Sequence, residues 1–205
     1  MLHPDQLHTL SHQLHSHGWC VLDNALTPTH AQQLSTHASQ LPSEALHRAG
    51  VGRAAAHQTL DSLRRDSIVW LDHDATSAHA CDLLWLSAMA QLRQHLNQTL
   101  YLGLNDYEAH YARYDAGAFY GRHVDAFKGQ SNRVLSTVYY LNTDWPDDDS
   151  QGGELLLYPH AQATEPAARI APVLGRLVVF LSEDWPHEVT PARRTRHSIA
   201  GWFRR

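Results

Sequence analysis

Apolar positions near the start of the chain recur at helical spacing. Leu7, Leu10 and Leu14 lie three or four residues apart and follow Pro4, a residue that suits the first turn of a helix. The apolar run Trp19–Leu22 is bounded by turn residues, which predicts a short buried strand. The chain is therefore expected to begin with a helix that leads into a strand.

Two further helices are predicted in the first half of the chain. Thr27 is an N-cap residue followed by proline, and the helical pattern continues toward Leu41, where Pro42 ends it. A longer helix is expected from about Thr76 to Leu100, and one stripe of it is apolar, as in a helix that packs on a sheet. The stripe consists of Trp85, Met89, Leu92, Leu96 and Leu100.

Strand patterns dominate the rest. Residues 49–53 predict a flexible loop within the irregular segment 43–65, and Asp66–Leu71 predicts a strand. After Asn105, short β-rich runs alternate with turn residues. The predicted strands are Tyr107–Tyr114, Phe119–Val124, Arg133–Leu141, Glu154–Tyr158, Arg169–Pro172, Arg176–Leu181, His187–Thr190 and Ser198–Phe203. Because no helix separates them, they predict an antiparallel sandwich or jelly roll.

These elements predict an α+β fold, a double-stranded β-helix (jelly roll) with N-terminal helices packed on one face. One domain is expected over residues 1–205, with mostly helical support and a mobile loop in 1–104 and the jelly-roll core in 105–205. A chain of 205 residues with 43% hydrophobic residues is large enough to bury such a core.

Composition and charge exclude several classes of partner. The formal net charge is −5 and the pI is near 6.4, which gives no electrostatic reason to expect nucleic acid. Cys20 and Cys81 are too few for a zinc ribbon. The sequence has neither a recognisable signal peptide nor an apolar run long enough to span a bilayer. We therefore expect a cytoplasmic protein that does not associate with membranes.

The pair His123 and Asp125 carries the first candidate chemistry. Residues i and i+2 of a strand project from the same face, so both side chains can reach one metal ion. With His187 they form the two-histidine, one-carboxylate set that binds ferrous iron and leaves the opposite face open. Taken alone, the pair is more typical of a hydrogen bond at the protein surface, and the residues downstream favour the metal.

Arg196 follows His187 by nine residues. A guanidinium that points into a barrel needs an anion, because an unpaired buried charge is very costly. That anion is either a carboxylate of the chain itself or the distal carboxylate of 2-oxoglutarate, which arginine can bind through two parallel hydrogen bonds. Arg193 and Arg194 precede the predicted last strand and are expected at the surface.

Several motifs stand in a fixed order along the chain. They are Arg64-Arg65-Asp66 with Trp70, Arg122-His123-Val124-Asp125, Tyr139-Tyr140-Leu141-Asn142-x-Asp144-Trp145, Gly152-Gly153-Glu154-Leu155, Pro186-His187-Glu188-Val189-x-Pro191, and Arg196 ahead of Trp202. In combination they resemble the egl-nine-type prolyl hydroxylases, the group that includes the hypoxia-inducible-factor prolyl hydroxylases and their bacterial relatives. The resemblance covers roughly the last 140 residues of the chain.

The resemblance implies a role for each matching residue of the metal and co-substrate site. The expected iron ligands are His123, Asp125 and His187. Arg196 matches the partner of the distal carboxylate of 2-oxoglutarate, and Tyr140 matches a tyrosine that hydrogen-bonds the same molecule. Tyr114 matches an aromatic residue of that pocket, although one residue fewer than in the family separates it from the metal motif. By residue type alone, Tyr140 also fits a core position with its hydroxyl bonded to the backbone.

Four further residues match positions that contact or cover the substrate. Arg133 and Trp202 match residues that contact the peptide, and Arg64 and Asp66 match a charge pair in a mobile loop. An arginine stands between that pair where the family has glycine, which affects the expected loop conformation and substrate choice but not the iron chemistry. By residue type alone, Arg133 also fits a solvated strand end, and Trp202 fits an aromatic packed against the helices.

The resemblance implies an Fe(II)- and 2-oxoglutarate-dependent dioxygenase that uses O2, releases succinate and CO2, and hydroxylates a proline in an exposed loop of a protein. Ascorbate is expected to support activity, and the bacterial relatives make elongation factor Tu a candidate substrate. One alternative is the same chemistry on a free amino acid or small metabolite, against which the match at residues 64–70 counts. Others are a jelly-roll sensor or binding module without catalysis, and a nucleic-acid demethylase, which the acidic charge disfavours.

Overall fold

The computed structural model describes residues 1–49, 62–71, 78–127, 129 and 131–205. Within these ranges the helices are α1 (Pro4–His17), α2 (Pro28–Ser39) and α3 (Ala80–Leu100), with a 3-10 turn at Ser43–Ala45. The strands are β1 (Trp19–Leu22), β2 (His47–Arg48), β3 (Ser67–Trp70), β4 (Asp106–Tyr114), β5 (Tyr120–His123), β6 (Arg133–Tyr140), β7 (Leu155–Leu157), β8 (Ala168–Ile170), β9 (Leu177–Leu181), β10 (His187–Val189) and β11 (Arg196–Arg204).

Local capping explains two of the helix boundaries. At the start of α2, the Thr27 hydroxyl accepts a hydrogen bond from the backbone N–H of His30 at 3.3 Å, which satisfies one of the donors left free in the first turn. α1 ends at Gly18, whose φ of 77° lies in the left-handed region, and the Gly18 N–H donates to the Leu14 carbonyl. The connection from α1 to β1 therefore needs no intervening loop.

The predicted elements form, with shifts at their ends. α2 stops two residues before Leu41, and the last strand begins at Arg196 instead of Ser198. The two-residue strand β2 was not predicted, because two residues carry no periodic pattern. Thr76, the predicted start of α3, and residues 50–53 of the predicted loop lie outside the described part of the chain.

The strands of the described residues form two antiparallel sheets. The major sheet has the order β1-β9-β6-β11-β4-β3-β2, and the minor sheet has the order β5-β10-β7-β8. β11 lies at the centre of the major sheet, between β4 and β6. The fold is the predicted double-stranded β-helix with helices on one face, and β1 and β3 from the N-terminal half extend its major sheet through β9 and β4.

Alternation along the strands gives the major sheet two different faces. On β11, Ile199 and Phe203 are fully buried on the side of the helices. The other face lines a cavity of about 620 Å³. The cavity-lining residues of β4 and β11 are His110, Ala112, Tyr114, Arg196, Ser198, Ala200 and Trp202. Alternate residues of β4 and β11 therefore pack into the core, and the residues between them line the cavity.

α3 covers the helix-facing side of the major sheet with its predicted apolar stripe. Trp85 is fully buried, and its Nε1 donates to the Tyr107 hydroxyl at 3.2 Å. Burial of each large apolar side chain contributes roughly 1.5–3 kcal/mol, so this layer stabilises the sheet behind the cavity. In the described residues, no helix has both the length and the hydropathy required to span a membrane.

Candidate active site

The three predicted metal ligands converge at one end of the cavity. His123 is the last residue of β5 and His187 the first of β10, and the two face each other across the antiparallel pair. Asp125 follows β5 by two residues, and its Oδ1 and Oδ2 lie 3.6 Å from Nε2 of His123 and of His187, respectively. The three ligand atoms lie within 4.8 Å of one another.

Backbone hydrogen bonds fix the orientation of both imidazoles. Nδ1 of His123 donates to the Gly121 carbonyl at 2.8 Å, and Nδ1 of His187 donates to the Trp185 carbonyl at 3.0 Å. Each Nε2 is thus left with a lone pair that faces the site. Burial and the neighbouring His123 lower the pKa of His187 to about 4, which keeps that imidazole neutral and able to bind a metal.

Asp125 is held by serines that the sequence did not reveal. The Ser136 hydroxyl donates to Asp125 Oδ2 at 2.6 Å and lies 2.9 Å from the Ser182 hydroxyl. Burial alone would raise the pKa of Asp125, but His187, His123 and the Ser136 hydroxyl lower it below its usual range, so the carboxylate stays ionised. Two imidazole nitrogens and one ionised carboxylate fit ferrous iron.

Arg196 lies deeper in the same cavity and is 1% exposed. Its Nη1 donates to the Ser198 hydroxyl at 3.2 Å, and its Nε has no acceptor. Among the described residues, no carboxylate forms a salt bridge with it, so the internal ion pair considered from the sequence is absent there. A buried guanidinium in this state is able to bind an anion.

Two tyrosines flank this guanidinium. The Arg196 guanidinium carbon lies 4.7 Å from the ring centre of Tyr114 and 5.1 Å from that of Tyr140. Tyr140 is fully buried, but its hydroxyl has no partner in the described structure. Burial raises the pKa of both tyrosines, so both hydroxyls stay protonated. Together with Arg196 they offer donors that fit the distal carboxylate of a keto acid.

Three of the predicted substrate residues, Arg64, Arg133 and Trp202, line the outer part of the cavity, and Asp66 is buried behind Arg64. The Arg133 guanidinium lies over the Trp202 indole, 3.7 Å from the ring centre. Arg64 forms a double hydrogen bond with Asp66, Nε to Oδ1 at 2.8 Å and Nη2 to Oδ2 at 2.6 Å. Burial opposes the charge of Arg64, yet its hydrogen bonds to Asp66 and the negative charge of that carboxylate raise its pKa above the usual value. Arg64 also lies over the Tyr120 ring, 4.3 Å from its centre.

Several residues in the cavity or beside it were not predicted from the sequence. His110 is 3% exposed, and its Nδ1 has no partner within the described ranges. It precedes Tyr114 by four residues on β4, so the alternation of the strand would have placed it on the cavity face. Tyr120 stacks on His123 with ring centres 3.6 Å apart. Glu108 bonds to Arg133, and no sequence pattern indicates that contact.

Comparison with known proteins places these features in a family. The sequence profile of the 2OG-Fe(II) oxygenase superfamily matches residues 109–204. Mouse and human prolyl hydroxylase EGLN3 are each 31% identical over 195 residues, an alignment that covers 93% of this chain and 80% of theirs. Human Egl nine homolog 1 is 32% identical over 194 residues. That alignment covers 93% of this chain but only 44% of the longer human protein.

Solved structures of prolyl hydroxylases have the same fold as this chain. A prolyl-4-hydroxylase from Pseudomonas putida is 38% identical, with a TM-score of 0.83 over 97% of this chain and 98% of that one. A prolyl hydroxylase from Trichoplax adhaerens, solved in complex with a peptide fragment of the hypoxia inducible factor oxygen degradation domain, is 27% identical, with a TM-score of 0.79 over 97% and 88% of the two chains. The chain belongs to the egl-nine-type prolyl hydroxylases of the 2OG-Fe(II) oxygenase superfamily.

Proposed function

We propose that this chain is an Fe(II)- and 2-oxoglutarate-dependent dioxygenase that hydroxylates a prolyl residue of a protein and releases succinate and CO2. One observation carries the proposal. A single cavity holds both a convergent His-Asp-His set and a buried arginine, Arg196, that has no carboxylate partner among the described residues. The first fits iron and the second fits the far end of a dicarboxylate.

The residues of the site would have three different roles. His123, Asp125 and His187 would hold the metal, which supplies the redox chemistry that couples 2-oxoglutarate decarboxylation to the use of O2. Arg196 and Tyr140 would bind the distal carboxylate and fix the orientation of the co-substrate, which lowers the entropic part of the barrier. The apolar residues Leu155 and Val189 line the same cavity and would keep water from the reacting groups.

The outer end of the cavity supports a protein substrate. Trp70 and Phe127 line it and are 52% and 67% exposed, so an apolar rim extends from the metal site to the protein surface. Exposed aromatic residues beside a cavity are typical of a binding surface for another chain. A free amino acid would not need such a rim. Elongation factor Tu is the candidate substrate, and a cytoplasmic location stays a prediction.

Incubation with elongation factor Tu, Fe(II), 2-oxoglutarate and ascorbate tests the proposal. We expect mass spectrometry to find one added oxygen on a proline of that factor, and His123→Ala to abolish both this product and succinate. Succinate without a modified proline would favour a small substrate and refute the prolyl activity on this target. The absence of succinate under every condition would refute the oxygenase and favour a binding module.

A further inference from the structure

Three arginines of the described structure line the cavity, and their charges are compensated differently. Arg64 is paired with Asp66, which is 1% exposed. Arg196 has no carboxylate partner within the described ranges. Arg133, at the outer end, is paired with Glu108. An incoming carboxylate is therefore offered an open guanidinium at the inner end of the cavity but not at its outer end.

Glu108 fixes Arg133 through two hydrogen bonds to one oxygen. Nε and Nη2 of Arg133 donate to Glu108 Oε1 at 3.1 and 2.8 Å. The other oxygen, Oε2, accepts from Nη1 of Arg204 at 2.9 Å, and Arg204 also pairs with Asp106. The side chains of Arg133 and Glu108 are each 23% exposed, so this pair is less screened by solvent than one on an open surface.

Held in this way, Arg133 forms one side of the cavity together with three aromatic side chains. We call this surface the outer wall; it consists of Arg133, Trp202, His110 and Trp70. The guanidinium lies on the Trp202 indole, and the rings of Trp202 and His110 are 5.4 Å apart. His110 meets Trp70 edge to face at 5.0 Å. Nε1 of Trp202 is buried and has no acceptor in the described structure. Flat rings and a free N–H donor suit a peptide backbone and a small ring.

We infer that Glu108 determines specificity at this outer wall by positioning Arg133 and taking up its charge. The wall then binds an uncharged stretch of substrate, by stacking and by donation to backbone carbonyl oxygens, rather than an acidic side chain through an ion pair. This inference rests on the proposed prolyl activity, since it assigns the chemistry of the peptide that enters the same cavity.

The arrangement also separates the two ligands of the reaction by charge. An uncompensated Arg133 would be a second site for a carboxylate, and 2-oxoglutarate could bind at the outer end of the cavity. With Glu108 in place, the dicarboxylate is directed to Arg196, and the outer wall is reserved for a neutral segment. Discrimination of this kind comes from removing an attraction for the wrong ligand.

Two variants test this inference. Glu108→Gln keeps the shape of the side chain but leaves the charge of Arg133 uncompensated. Asp106→Asn is the matched control, because it removes a carboxylate from the same network while Glu108 still holds Arg133. Both are compared with the wild type on peptides that share one proline and carry either glutamine or glutamate beside it.

In the wild type and in Asp106→Asn, we expect kcat/KM to differ little between the glutamine and glutamate peptides. In Glu108→Gln, we expect the glutamate peptide to gain about tenfold over the glutamine peptide, because Arg133 can then form an ion pair with it. A strong preference of the wild type for glutamate, or an unchanged ratio in Glu108→Gln, would overturn the inference.

Tryptophan quenching provides a readout that needs no substrate. Glu108→Gln should increase quenching by iodide, an anion, and leave quenching by neutral acrylamide unchanged, because positive charge is released beside Trp202. Unchanged iodide quenching, or an equal rise with both quenchers, would contradict the assigned role of Glu108. If the wild type hydroxylates none of the peptides, the prolyl activity fails while this measurement still tests the charge of Arg133.

Discussion

Some polar groups of the site have no partner in the described structure, and a bound ligand would provide one. Arg196 is buried without a carboxylate among the described residues, and the buried hydroxyl of Tyr140 has no hydrogen bond there. The Asp125 carboxylate, with its side chain 10% exposed, lies between two imidazoles that a metal ion would link to it. Buried polar groups of this kind destabilise a free protein, and the binding of metal and co-substrate compensates for the loss.

Arg196→Met should separate stability from binding. An apolar side chain of similar length here replaces an uncompensated buried charge. We therefore expect the free energy of unfolding of the ligand-free protein to stay the same or to rise by about 1–4 kcal/mol. Affinity for 2-oxoglutarate should fall by on the order of 3–5 kcal/mol, since its distal carboxylate loses its partner. Denaturant unfolding and calorimetric titration measure the two effects. Arg193→Met, at an exposed position, is the control, and an unchanged affinity in Arg196→Met would refute its assignment.

Ser136→Ala tests the support of the metal ligand Asp125. The serine is 1% exposed and donates to the carboxylate, so the loss of its hydroxyl should loosen the orientation of Asp125. We expect metal affinity to fall about 10–100-fold, as for other groups that orient metal ligands. Anaerobic titration with Fe(II) or Mn(II) measures it, with the exposed Ser39→Ala as the control. Equal affinities would mean that Asp125 is oriented without the hydroxyl.

Among the elements, β11 connects the core to the chemistry. Arg196 and Trp202 face the cavity from this strand, while Ile199 and Phe203 pack toward the helices. It is hydrogen-bonded along its length to β4 and β6. A change on its helix-facing side should therefore be transmitted to Arg196, which we propose binds the co-substrate, and to Trp202 in the outer wall.

Gly201→Ala tests this coupling. A Cβ at Gly201 would lie 2.6 Å from Cζ of Tyr107 and 2.8 Å from the Glu108 carbonyl oxygen, so the strands must move apart. We expect a loss of about 1–3 kcal/mol in the free energy of unfolding, the usual cost of overpacking, together with weaker binding of the peptide substrate. Denaturant unfolding measures the first effect. Tyr107→Phe removes the hydroxyl nearest to the new methyl group, and the single variant measures the cost of losing its hydrogen bond with Trp85. Gly201→Ala should cost less in the Tyr107→Phe background than in the wild type; an equal cost in both would place the strain elsewhere.

For the whole molecule, the site joins the two sheets. His123 and His187 belong to the minor sheet, whereas Tyr140 and Arg196 belong to the major sheet. Metal and 2-oxoglutarate bound together would therefore connect the sheets across the cavity. The helices pack behind the major sheet, away from this opening.

Ligand removal should thus lower global stability. With metal and 2-oxoglutarate both present at 100 times their dissociation constants, each ligand is expected to add about 2.7 kcal/mol to the free energy of unfolding. Chelation should remove the metal contribution and most of that from 2-oxoglutarate, because the keto acid then keeps only the proposed contacts of its distal carboxylate with Arg196 and Tyr140. Thermal unfolding measures the shifts, and His123→Ala should respond to neither metal nor chelator. A full 2-oxoglutarate effect in the presence of chelator would contradict a shared site.

Local patterns in the sequence account for a large part of this molecule. Apolar residues at every second position predict the strands, and apolar residues three or four positions apart predict the helices. These patterns are readable because the local backbone geometry alone sets the face of a strand or helix from which each side chain projects. The same spacing predicts that His123 and Asp125 reach one metal, and the family motifs add His187 and Arg196. The confirmed fold class follows from the order of these elements.

The contacts that orient the site depend on strand register and could not be read from such patterns. Ser136 meets Asp125 and Ser182, and Glu108 meets Arg133 and Arg204, across large separations in sequence. Register is set by the packing of whole sheets, and a slip of one residue would reverse every side chain of a strand. Spacing therefore predicts which groups form the iron site, whereas the packed sheets select the residues that hold those groups and shape the outer wall.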